Sequence, residues 1–143
     1  MDRRRTLLAG GKKPPMYVYQ PGYTSWQNCD SAAATGSSCY AKFSTNYVRV
    51  YNSWEESYYA YNIIFNEARY KGYKKLIIVG ETSNTSSQNI YWETTAGKDS
   101  TRIQLTRSKA EYVIDISKST GDRRIQMQPY GDIQFTIYDI HFE

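Results

Sequence analysis

The segment Ile133-Gln134-Phe135-Thr136-Ile137-Tyr138-Asp139-Ile140-His141-Phe142 decides the fold class. Ile133, Phe135 and Ile137 recur at every second residue, the period of a strand with one face on a core. Beyond Ile137 the apolar positions are Ile140 and Phe142, out of step by one. A strand that keeps its core face through such a phase change must insert one residue, so a β-bulge is predicted near Tyr138-Asp139.

The same period runs backwards through the chain. Ile125 and Met127 face inward, with Arg124, Gln126 and Gln128 opposite. Tyr112, Ile114 and Ile116 form one face, Ile103 and Leu105 another, with Arg102, Gln104 and Thr106 outward. Ile90 and Trp92 share a face. Leu76-Ile77-Ile78-Val79 is a continuous apolar run, as in a strand covered on both sides. Tyr59, Tyr61, Ile63 and Phe65 alternate against Tyr58, Ala60, Asn62 and Ile64. Ala41–Tyr51 reads as one strand, with Val48 and Val50 opposed to Tyr47, Arg49 and Tyr51. Met16–Gln20 reads as the first strand, stopped by Pro21-Gly22, and Tyr23–Ser38 as a long loop. Turn residues separate these segments, among them Asn84-Thr85-Ser86-Ser87, Ala96-Gly97-Lys98-Asp99 and Ser119-Thr120-Gly121-Asp122. Trp54–Tyr61 is the only helical candidate, and its tyrosines argue for a strand. About nine strands with short turns predict an all-β, two-sheet antiparallel sandwich.

Composition agrees. Fifteen of the 143 residues are Tyr, a side chain that suits pleated surfaces and also binding surfaces. The net charge of +4 comes from the front of the sequence. Arg3, Arg4, Arg5, Lys12 and Lys13 oppose only Asp2, and the remaining basic and acidic residues balance. Residues 1–15, with Gly10-Gly11 and Pro14-Pro15, read as a flexible basic arm, and residues 16–143 as the sandwich domain. A near-neutral domain offers no field for nucleic acid. No apolar run is long enough for a membrane-spanning helix, and Leu7-Leu8 sit in too short an apolar stretch for a secretory signal. Cys29 and Cys39 are accordingly expected to be free thiols.

Catalytic patterns are missing. His141 is the sole histidine and has no nucleophile motif around it, so it reads as a surface or edge-strand side chain. No glycine-rich phosphate loop follows a strand. Glu55-Glu56, Glu93, Asp115 and Asp139 do not order into an acid–nucleophile pair. No Asp-x-Asp-x-Asp run offers a calcium loop, though Asp30 or Asp139 with loop carbonyls leaves a structural ion open. No cofactor or metal is expected.

What remains is aromatic rings beside planar polar groups. Trp26, Trp54 and Trp92 have polar neighbours that suit partial exposure. The outward rows Tyr47-Arg49-Tyr51, Arg102-Gln104 and Arg124-Gln126-Gln128 combine stacking faces with paired donors. Sugar rings, with apolar C–H faces and hydroxyl rims, fit such rows, and so does a polar subunit interface.

Gly72-Tyr73-Lys74-Lys75-Leu76-Ile77-Ile78-Val79, Glu111–Ser117 and Ile137–Glu143 together resemble galactose-binding-like jelly rolls of carbohydrate-binding modules. With Arg3–Gly11 and Asp115–Gly121, the combination also resembles small structural proteins of tailed bacteriophages. That resemblance implies a non-enzymatic virion component, such as a capsid decoration, tail or fibre protein, made in the host cytoplasm. Its arm (Arg3, Arg4, Arg5, Leu7, Leu8, Lys12 and Lys13) would dock on other virion proteins, its domain would oligomerise in the particle, and host-surface polysaccharide would be a further partner. The alternative is a carbohydrate-binding module with no virion role.

Overall fold

The computed structural model describes residues 13–36, 39–52, 60–83, 88–129 and 133–143. Among them are eleven strands and one helical turn: β1 (Met16–Tyr19), β2 (Ser31–Ala34), β3 (Cys39–Phe43), β4 (Val48–Asn52), β5 (Tyr61–Phe65), α1 (Glu67–Tyr70), β6 (Lys75–Thr82), β7 (Gln88–Thr94), β8 (Thr101–Leu105), β9 (Ala110–Asp115), β10 (Arg123–Met127) and β11 (Ile133–Phe142). One sheet runs β3-β4-β11-β6-β9, with β1 also on β11; the other runs β2-β5-β10-β7-β8. All pairings are antiparallel. The inward residues Val48, Val50, Phe135, Ile137, Ile140, Phe142, Leu76, Ile78 and Ile114 of the first sheet meet Ile63, Phe65, Ile125, Met127, Ile90, Trp92, Ile103 and Leu105 of the second. This is the core of a sandwich, built by alternation on both sides.

The bulge lies where the phase change requires it. Pairing of β11 with β6 runs Ile137↔Gly80 and then Asp139↔Val79, skipping Tyr138. The core side thereby passes from Phe135 and Ile137 to Ile140 and Phe142, all fully buried. Gly80 is needed beside it. A Cβ there would sit 3.0 Å from the Thr136 carbonyl oxygen and 3.0 Å from Ile137 Cδ1.

Four readings need correction. Ala41–Tyr51 is a hairpin of β3 and β4, closed by the Ser44 N–H donating to the Tyr47 carbonyl at 2.8 Å. The expected loop Tyr23–Ser38 contains β2, whose alanines have little strand preference of their own and are held by pairing with β5. The helical turn is α1. Most of Trp54–Tyr61 lies outside the described residues, and Tyr61 is in a strand. The N-cap Asn66 makes no side-chain cap bond. Asp30 Oδ2 accepts the Asn66 N–H at 2.6 Å and Asp122 Oδ1 the Glu67 N–H at 3.2 Å. The helix start is thus satisfied by residues distant in sequence, leaving no local signal. Finally, His141 is neither exposed nor on an edge. Strand β11 is interior, paired with β1 and β6, and His141 is 9% exposed.

Candidate functional site

The register of the second sheet brings a polar row onto its outer face. Ala33, Asn62, Gln126, Tyr91 and Arg102 are cross-strand neighbours in that order, from β2 to β8. Asn89 and Gln104 pair beside this row, and Arg124 and Glu93 pair on its other side. Gln128 Nε2 donates to Gln126 Oε1 at 2.6 Å, and Gln126 Nε2 to Asn62 Oδ1 at 3.0 Å. Asn89 Nδ2 donates to the Tyr91 hydroxyl at 3.3 Å. Arg124 reaches Glu93 Oε2 through Nε at 2.8 Å and Nη2 at 2.7 Å, while Ser100 Oγ donates to Glu93 Oε1 at 2.7 Å. The face is therefore built of planar amides, one tyrosine and two guanidiniums; hydrogen bonds hold Asn62, Gln126, Gln128, Asn89, Tyr91 and Arg124 before any ligand arrives, while Arg102 and Gln104 are exposed beside them. One group is left over: Asn89 Oδ1 is buried and has no hydrogen-bond partner among the described residues. A buried carbonyl oxygen without a donor carries a desolvation cost that a ligand hydroxyl would relieve.

The sequence-predicted residues fall on different sides of the sandwich. Arg102, Gln104, Gln126 and Gln128 lie on the face just described. Gln126 points away from Ile125 and Met127 as expected, but it is only 8% exposed, because its amide is clasped between Asn62 and Gln128. Tyr47, Arg49 and Tyr51 lie on the outer face of the first sheet, and are engaged there. The Arg49 guanidinium sits 4.4 Å from the Tyr47 ring centroid, with Nε donating to Thr136 Oγ1 at 3.3 Å. Tyr51 stacks on Tyr40 at 5.0 Å and 19°. The two described tryptophans, Trp92 and Trp26, are taken up in packing. Trp92 is 1% exposed, packed on Phe65, Tyr70 and Phe142, since its alternation with Ile90 puts it in the core. Trp26 packs on Phe43 and Tyr19 and donates its Nε1 hydrogen to the Tyr61 hydroxyl at 3.0 Å, closing one end of the core. Trp54, Arg3, Arg4, Arg5, Leu7, Leu8 and Lys12 lie outside the described residues. Lys13, assigned to the arm, rests on the domain, donating to the Lys71 carbonyl at 2.7 Å beneath the Tyr73 ring.

Sequence reasoning missed Asn62, Asn89 and Tyr91 as members of the face. Their parity was legible, since each alternates with core residues. Their company was not, because it depends on which strands become neighbours.

The first sheet carries an electrostatic feature of its own. Past the bulge, Asp139, His141 and Glu143 follow one another at every second position. His141 Nδ1 bonds Asp139, and Nε2 lies 2.8 Å from Glu143 Oε2. Burial disfavours the imidazolium, but hydrogen bonds and charge from the two carboxylates outweigh it and raise its pKa. Burial raises that of Asp139, against the pull of His141. The Tyr138 hydroxyl bonds Glu81, which with burial pushes the phenol up to about 12. Asp30, besides capping Asn66, pairs with Arg69 at 3.0 Å.

No protein-family profile matches the chain, and no curated protein matches it in sequence. Its fold does have solved likenesses. A family 29 carbohydrate-binding module is 12% identical, with 90% of this chain and 87% of that one aligned at a TM-score of 0.63. A CBM29-2 variant complexed with mannohexaose is 13% identical over 90% of both chains, TM-score 0.63. Another, complexed with cellulohexaose, is 12% identical over 90% of this chain and 89% of that one, TM-score 0.62. The fold is a jelly-roll β-sandwich. At these identities the likeness establishes architecture alone, and function has to be argued from the residues on it.

Proposed function

We propose that this chain is a non-catalytic carbohydrate-binding domain that lays an extended glycan across the outer face of β2-β5-β10-β7-β8. The carrying observation is the cross-strand row Asn62, Gln126, Tyr91 and Arg102, with the acceptor Asn89 Oδ1, unpaired among the described residues, beside it. Sugar hydroxyls both donate and accept, and amides complement them with one group of each kind. The small outward residues Ser31 and Ala33 of β2 leave one flank of the row low, so a chain longer than one ring can cross it. The solved likenesses support this reading, because two of them hold hexasaccharides. Nothing in the fold or in these likenesses points to a phage particle, and the leader that suggested one lies outside the described residues.

Isothermal titration of the full chain with mannohexaose, cellulohexaose and a wider oligosaccharide panel tests the proposal. At least one should bind, and Asn89→Ala, Tyr91→Ala or Arg102→Ala should weaken it tenfold or more, while Tyr51→Ala on the opposite face leaves it unchanged. Binding that survives all three face variants would move the site elsewhere. Absence of binding across the panel would remove the function.

A further inference from the structure

At one end of the sandwich, between the start of β8 and the segment that follows β9, is a cleft of about 430 Å³ that the face does not include. Its size lies within the range of small-molecule pockets, about 300–1,000 Å³. Arg123 forms its inner wall. This residue follows the inward parity of Ile125 and Met127 and is 4% exposed, so a guanidinium stands at the end of an apolar core. No carboxylate pairs with it among the described residues. Its Nε donates to the Thr120 carbonyl at 3.1 Å and its Nη1 to the Asp99 carbonyl at 3.1 Å. An arginine carries five N–H donors, and burying one on neutral acceptors alone is costly.

The surroundings are arranged for a ligand with hydroxyls. Asp99 holds a left-handed φ of 50°, and its carbonyl accepts from Arg123 Nη1. Ser119 Oγ accepts the Trp92 indole N–H at 2.9 Å, which leaves the serine hydroxyl hydrogen free to donate. Lys118 and Arg123 are balanced by Asp99 and Asp115 on the same walls, so the cleft favours a neutral ligand over an ionic one. Donors, acceptors and hydroxyls around an open cleft of this volume suit one sugar ring rather than a chain lying flat.

We propose that this cleft is a second saccharide site, which takes a single neutral ring such as the terminal unit of a glycan. The choice of ligand rests on the carbohydrate-binding reading above; the location does not depend on the sheet face. The test is NMR titration of the full chain with D-glucose, D-mannose, D-galactose, D-xylose and N-acetyl-D-glucosamine, and separately with the hexasaccharides. A binding monosaccharide should shift the amides of Thr101, Ser119 and Thr120 and the Trp92 indole N–H, leaving Asn89, Tyr91 and Gln126 in place. Lys118→Ala with Thr120→Val, both exposed positions, should weaken that monosaccharide at least tenfold and leave hexasaccharide shifts on the face intact. If hexasaccharides move the face while no monosaccharide moves the cleft, the cleft proposal fails and the face stands. If a monosaccharide moves the cleft and nothing moves the face, the face reading is the one that fails.

Discussion

Gln126 and Asn62 are direct cross-strand partners, and the amide of the first donates to the carbonyl of the second at 3.0 Å on the outer side of the second sheet. Gln126 is buried there between Asn62 and Gln128, so this bond belongs to the fold as well as to the face. Gln126→Ala should cost about 1–3 kcal/mol, because it strands Asn62 Oδ1 and Gln128 Nε2 in a partly dry setting. Urea denaturation measures this. A variant as stable as the parent would show that water takes over both partners freely.

The ladder Asp139–His141–Glu143 makes stability depend on pH. A histidine whose folded pKa is raised contributes stability that is complete below its unfolded value, about 6.5, and is lost as pH rises through the folded value. The raised Asp139 acts in the same direction at lower pH, from the ordinary carboxylate range upward. Glu111 also bears on Asp139, whereas the strand neighbours of His141 are the Tyr17 ring at 4.8 Å and uncharged Ile77. The urea midpoint should therefore fall from pH 6 to pH 9, and His141→Gln should flatten that fall. Parallel curves for the two proteins would exclude the histidine as its source.

Both cysteines are free. Burial pushes the Cys39 thiol up to about 11 and also raises Cys29, with Arg69 pulling the latter back. Thiolate is the reactive form, so native Cys39 should resist iodoacetamide at pH 8, Cys29 should react faster, and both should label fully in urea. Equal native rates measured by mass spectrometry would mean that Cys39 is not enclosed as described.

Core and surface positions should separate cleanly. Phe135→Ala and Ile114→Ala should each cost about 2–5 kcal/mol by leaving a cavity. Tyr51→Ala should cost about 0.5–1.5 kcal/mol, the scale of its aromatic pairing with Tyr40. Gly80→Ala should cost about 1–3 kcal/mol, since the Thr136 carbonyl cannot yield to a new methyl as the Ile137 side chain can. Chemical denaturation of the four variants checks the order. Tyr51→Ala as damaging as Phe135→Ala would reverse the faces of β4.

Alternation carried most of the fold. Ile103 and Leu105, Ile90 and Trp92, and the phase change after Ile137 were each legible, because one apolar face per strand leaves its mark every second residue. What was hidden depended on partners. The Ala-rich β2 and the helical turn at Glu67 exist through β5, Asp30 and Asp122, none adjacent to them in sequence. The site was legible in kind and not in place. Arg102, Gln104, Gln126 and Gln128 share a face, but Tyr47, Arg49 and Tyr51 lie across the sandwich from them, and periodicity is silent on which sheet a strand joins. Trp92 was misjudged by its polar neighbours in sequence, when its parity with Ile90 had already fixed its direction.

The extra residue in β11 also bears on how this sequence can change through its gene. Losing one codon at Tyr138 would restore plain alternation and keep Ile140 and Phe142 beside Phe135 and Ile137 on the core side, with Asp139 and His141 still outward. Losing one codon at Thr136 would instead set Phe135 directly before Ile137, and one of the two would have to face water. Single-codon loss within this stretch is therefore filtered by its place, and lineages descended from this chain should drop a residue at the bulge rather than elsewhere in the strand.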